Sequence, residues 1–236
     1  MLQVAIIGLG TLGIRMLEEL SASGAETIVI DKDKEVIQKY KDLTKTAFVT
    51  DVINEKALET VLPTEIDAVI IDMGSNFEAT IMTTNCLHKL GIKKIIVEAD
   101  NDEQGEVLKM VGATQIVFPE QEAAKRITPM LLTSNLYNFM PMSEDFALAE
   151  VGIIEELDGK RLTDSNIRKE WNLNVVACRK STEENFSFIN AATYVFNKAD
   201  TILVAGHNVD IIHYLSKSGN HANLTSVSGF SRFFKK

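Results

Sequence analysis

The residues in this chain best suited to chemistry form one glycine-rich run, Gly8-Leu9-Gly10-Thr11-Leu12-Gly13, in the G-x-G-x-x-G spacing. The chemistry it suits is the holding of phosphates. Gly8 permits a tight turn, Gly10 leaves room for a pyrophosphate to approach the backbone, and Gly13 lets a helix lie close to a sheet. A helix opening at Thr11 and Leu12 presents unpaired amides, whose partial positive charge favours anions. Asp31 stands eighteen positions beyond Gly13. It can accept hydrogen bonds from a ribose 2′-OH, whereas a 2′-phosphate would meet like charge. That favours an adenosine ribose such as those of NAD, ATP or ADP. The alternative is that the glycines only turn the chain and Asp31 caps a strand end. Lys32, beside Asp31, joins the candidate contacts. Asp51 could stand near the sugar or adenine, or be a plain surface carboxylate. Gly74, Ser75 and Asn76 are candidate neighbours of the sugar and phosphate, although Ser75 or Asn76 could equally be a helix cap.

These residues need elements to position them. Val4–Ile7 is a continuous apolar run, as expected for a strand buried on both faces of a parallel sheet. Leu12, Met16, Leu17 and Leu20 recur at helical spacing, and Gly24 stops that helix. Further strands are expected at Thr27–Ile30, Ala47–Val49, Ala68–Ile71, Lys94–Val97 and Gln115–Phe118, separated by helical segments. The alternation predicts an α/β fold, a Rossmann-like doubly wound parallel sheet occupying residues 1–120. Alanines and leucines from Ala123 to Leu136 suggest a connecting helix within residues 121–143, which Pro141 terminates. Residues 144–218 change character. Strand-like segments at Ala147–Ile153, Asn174–Ala177, Phe186–Ile189 and Thr201–Gly206, with short helices near Thr163–Lys169 and Asn208–Lys217, predict a second, smaller α+β domain. Residues 219–236 are expected to be a flexible tail.

Composition narrows the functional classes. With 24 basic and 33 acidic residues the net charge is −9, so there is no broad basic surface for nucleic acid. No apolar run is long enough to span a bilayer, and Met1-Leu2-Gln3 leads straight into the first strand without a basic segment. The expected location is the cytoplasm. Cys86 and Cys178 lie in apolar surroundings and read as buried thiols. An oxidoreductase would need a proton donor opposite the nicotinamide, but His207, His213 and His221 come late and His88 reads as a surface residue. There is no G-x-x-x-x-G-K-[ST] loop. A nucleotide site without an obvious reaction centre favours a sensor over an enzyme.

The order of segments resembles the cytosolic regulatory subunits of bacterial potassium-uptake systems of the Ktr/Trk type, with an RCK (KTN) N-terminal domain and a TrkA-C domain. The likeness is carried by Ile6–Gly13, Val29–Asp33, Glu78–Thr84, Gly105–Ala113, Val117–Glu120, Leu157–Leu162 and Asn174–Ala177. It covers residues 2 to about 218, and Gly105–Glu120 is its most discriminating stretch. The resemblance implies a homodimer that assembles into an octameric ring beneath an integral-membrane potassium channel subunit, at the inner face of the membrane. It also implies gating by bound ATP, ADP or NAD(H). By resemblance Glu120 falls where some members bind a divalent cation; from chemistry alone one carboxylate is a poor metal site.

Departures from the family pattern matter. Thr11 stands where many ATP-responsive members carry arginine, and Glu98 replaces a lysine or similar residue. Both exchanges remove positive charge, so the expected ligand is ADP or NAD(H) in preference to cation-free ATP. Relatives bind cyclic di-AMP in the second domain, and Arg168 and Asn174 align near that pocket. The usual proline-containing turn is replaced by Asn190–Thr193, which disfavours that ligand here.

Overall fold

The computed structural model describes residues 2–52, 55–63, 65–189 and 193–217. Their contacts divide the chain into two units, residues 1–120 and 121–236.

The first unit alternates strand and helix: β1 (Gln3–Ile7), α1 (Thr11–Ala22), β2 (Glu26–Asp31), α2 (Lys34–Tyr40), β3 (Thr46–Val49), α3 (Glu55–Val61), β4 (Ala68–Ile71), α4 (Phe77–Lys89), β5 (Ile95–Glu98), α5 (Asp102–Met110) and β6 (Gln115–Val117). The six strands lie in the order β3-β2-β1-β4-β5-β6 and pair in parallel. Chain order reverses between β1 and β4, which opens a crevice beyond the C-terminal ends of those strands. Burial explains the apolar runs. In β1, Ala5 and Ile7 belong to one core cluster, and Val4 and Ile6 to the cluster on the opposite face. Three helices begin on a side chain that takes amides otherwise left unpaired: Asp33 for α2, Asn76 for α4 and Asn101 for α5. Two glycines of the most discriminating stretch have packing roles. A Cβ at Gly105 would press on the Phe118 ring, and one at Gly112 would overlap His88.

The second unit contains most of α6 (Pro119–Leu132), then β7 (Leu136–Pro141), β8 (Phe146–Gly152), α7 (Ile167–Glu170), β9 (Asn174–Arg179), β10 (Ser187–Phe188), β11 (Thr201–His207) and α8 (Asn208–Ser216). Its five-stranded sheet, in the order β10-β9-β11-β8-β7, is antiparallel. Phe139, Phe196 and Tyr214 are enclosed in its core. The expected connecting helix ends at Leu132, and the residues after it form an edge strand hydrogen-bonded to β8. The register shifts between Leu136 and Asn138, so the buried Leu136 and Phe139 are three residues apart and the two-residue alternation is broken. Pro141 is tolerated at the end of this edge strand, where no inner ladder bond is lost. Only Ser187–Phe188 of the expected Phe186–Ile189 strand is regular. Asn190–Ala192 and the expected tail lie outside the described residues.

Candidate nucleotide-binding site

The glycine turn joins β1 to α1 and is held from both sides. Gly8 has a φ of +86°, and its amide donates to the Ile30 carbonyl at 2.8 Å. A Cβ at Gly8 would overlap the Asp72 backbone, one at Gly10 the Asp72 carboxylate, and one at Gly13 the Gly8 carbonyl. All three glycines are therefore sterically required, before any ligand is considered.

Two strand-end carboxylates bind this turn. Asp31, closing β2, accepts from the Leu9 amide at 2.7 Å and the Asp33 amide at 2.8 Å. An ionised carboxylate has about four lone-pair directions, so Asp31 retains capacity for a ribose hydroxyl. Asp72 follows β4 directly and is 3% exposed. Its Oδ2 accepts from the Gly13 amide at 2.8 Å, and its Oδ1 accepts from the Gly74 amide at 3.3 Å. Among the described residues the amides of Gly10, Thr11 and Leu12 take no acceptor, so the helix opening keeps donors for a phosphate.

Asp72 was missed by reasoning from sequence. The signal was present: Ile71-Asp72-Met73-Gly74 repeats the motif of an acid ending an apolar strand seen at Ile30-Asp31. Glu98, at the end of β5, hydrogen-bonds to Asp72. Burial, that hydrogen bond and the negative charges of Asp72, Glu120 and Asp100 push the Glu98 carboxyl up to about 8. Glu98 is thus protonated near neutrality, and the pair bears a single negative charge. The charge expected at position 98 resides mainly on Asp72.

A cleft of about 270 Å³ opens on the turn. It brings together Gly10, Asp31, Lys32, Asp51, Gly74 and Asn76 from the expected set, and adds Asp72. Gly8, Thr11, Leu12, Gly13, Ser75 and Glu98 do not line it. Asn76 has a double role, since its side chain also accepts from the Ala79 amide at 3.2 Å. Glu120 is exposed at the start of α6. Among the described residues no group of three or more His, Cys, Asp or Glu could hold a metal ion, so this chain alone does not complete a cation site at Glu120. Among the described residues, too, no helix is long and apolar enough to cross a membrane.

Residues 4–119 match the TrkA-N domain family. The chain is 33% identical over 212 residues to "Ktr system potassium uptake protein C" of Bacillus subtilis (strain 168), covering 90% of this chain and 95% of that protein. It is 28% identical over 209 residues to "Ktr system potassium uptake protein A" of the same organism, covering 89% and 93%. In fold it is similar to the solved "GsuK channel bound to NAD", with a TM-score of 0.65 at 14% identity, covering 94% of this chain and 40% of that one. The chain therefore spans less than half of that channel, and the likeness bears on fold alone. A parallel sheet carrying the glycine turn, an antiparallel sheet after it, and near-full-length similarity to a Ktr protein all agree: the chain belongs to the bacterial Ktr/Trk family of potassium-uptake regulatory proteins, and its first unit is a TrkA-N (RCK-type) domain.

Proposed function

We propose that this chain is a cytoplasmic, nucleotide-sensing regulatory subunit that takes an adenine nucleotide on the glycine turn and gates a membrane potassium channel or transporter. The observation that carries the reading is the convergence of three open amides, at Gly10, Thr11 and Leu12, with the Asp31 carboxylate around one cleft. The amides suit a pyrophosphate and the carboxylate suits a ribose, which is the division of labour a dinucleotide or ADP requires. Membership of the Ktr/Trk family supports the potassium partner. It supports likewise a homodimeric building block, an octameric ring and attachment to the inner face of the membrane through that partner. A regulator needs binding and a change of shape, not a reaction centre, which fits a site built from amides and carboxylates.

Calorimetric titration of the full chain with NAD(H), ADP and ATP tests the binding step. Binding of ADP or NAD(H) that exceeds that of cation-free ATP is expected. Replacing Gly10 by valine should abolish it, because the new side chain would meet Asp72. Failure of the native chain to bind any adenine nucleotide would overturn the reading. Co-purification with a potassium channel subunit, followed by reconstituted potassium flux with and without nucleotide, tests the gating step. Flux indifferent to both the subunit and the nucleotide would exclude that role.

A further inference from the structure

We propose that Asp72 sets the phosphate charge this site accepts: its buried carboxylate lies against the glycine turn, already holds the Gly13 amide, and discriminates against the more highly charged adenine nucleotides. The inference rests on the nucleotide-binding reading above and deepens it.

The argument starts from the opening of α1. That helix has no side-chain cap of its own and no acidic residue in its first turn. Its positive end would ordinarily be open to an anion. Here the anion is built in. Asp72 reaches across from the end of β4, binds Gly13 and Gly74, and lies where a Cβ on Gly10 would go. It also lines the cleft. A phosphate on the Gly10–Leu12 amides must therefore share the helix end with a fixed negative charge. Each added phosphate charge meets more repulsion, whereas an uncharged nucleoside meets none.

Little in the surroundings cancels that charge. From β5, Glu98 faces Asp72 and hydrogen-bonds to it; Asp100, just after β5, and Glu120, at the start of α6, add negative charge beside Glu98. Across the turn Asp31 is a further carboxylate, held by the Leu9 and Asp33 amides. Lys32, Asp33 and Asp51 line the cleft beyond it, so Lys32 is the one cation of that lining. Arg15 of α1 is engaged with Glu18. The ion pairs among the described residues all lie away from Asp72 and Glu98. The proton kept by Glu98 up to about 8 limits the pair to one negative charge near neutrality. Once that proton leaves, the pair carries two, and phosphate binding weakens as pH rises.

The test is calorimetry on the full chain, in chelator, with adenosine, NAD+, ADP and ATP, comparing native protein with Asp72→Asn and Glu98→Gln. NAD+ is the probe for pH because its pyrophosphate does not titrate in the relevant range. At neutral pH, Asp72→Asn should bind NAD+ about tenfold tighter and ATP tighter by a larger factor, with adenosine unchanged. Native affinity for NAD+ should fall as pH passes about 8, and Glu98→Gln should hold its neutral-pH value throughout. Unchanged NAD+ and ATP affinities in Asp72→Asn, or adenosine tightening as much as ATP, would overturn the inference while leaving the nucleotide reading intact. No binding by native protein or variants would remove both. Should Asp72→Asn fail to fold, Glu98→Gln decides: a native-like loss of affinity above about pH 8 in that variant overturns the inference.

Discussion

The two units treat buried charge in opposite ways. In the antiparallel sheet of the second unit, Glu150 is 8% exposed and forms an ion pair with Arg179, whose guanidinium also covers the Phe186 ring at 4.8 Å. The buried Tyr214 hydroxyl is equally well provided for: it donates to the Gly152 carbonyl at 2.9 Å and accepts from the Ile154 amide at 3.3 Å. Unlike charges and matched donors make that unit self-sufficient. At the glycine turn of the first unit, two carboxyl groups face each other, no cation pairs with either, and three backbone donors stay open. A fold gains nothing in stability from such an arrangement. The imbalance marks where the molecule is built for a ligand, and polarity in the second unit reads as architecture.

Substitutions can break or sharpen this contrast. The largest effect is expected at Gly8, where alanine would need both a positive φ and space held by the Asp72 backbone. Gly8→Ala should cost about 3 kcal/mol, read by denaturant unfolding with nucleotide titration alongside. A near-native midpoint would mean that the turn is less constrained than its geometry implies. Next is Tyr214→Phe, which removes a buried donor and acceptor from the second unit. A loss of about 1–2 kcal/mol is expected, with nucleotide affinity unchanged. Altered affinity would contradict the separation of roles.

A smaller effect, visible through its pH dependence, concerns Glu98. Its carboxyl lies at about 8 in the folded chain, against a model value of 4.5. The folded state thus binds a proton that the unfolded state releases between those values. Stability is fully retained below about 4.5 and declines as pH rises through about 8. Glu98→Gln should flatten that decline in a series of thermal melts and leave the variant more stable than the native chain at the alkaline end. An unchanged slope would remove the like-charge account of the site. The smallest effect serves as the control. Arg15 pairs with Glu18 on the exposed face of α1, and Arg15→Ala should change stability by less than about 0.5 kcal/mol.

Much of the nucleotide site could be read from the chain. The glycine spacing, the apolar runs before it and Asp31 after the second strand are local signals, and each maps onto a strand end or helix start where it was expected. Asn76 was legible both as a helix cap and as a cleft residue, and it is both. The edge strand Leu136–Pro141 was not legible, because a bulge disrupts its alternation and an alanine-rich helix runs into it. Asp72 was passed over because nothing near it in sequence needs a carboxylate; its partner Gly13 lies 59 residues away.

Local order along the chain was enough to specify a parallel doubly wound sheet with its glycine turn, since hydrophobic periodicity and backbone permissiveness act between near neighbours. Which carboxylate occupies the start of the first helix, and that Glu98 shares its proton there, depended on β4 and β5 being stacked beside β1. Electrostatic pairing and steric closure act through space, so those facts came into being only when the strands assembled.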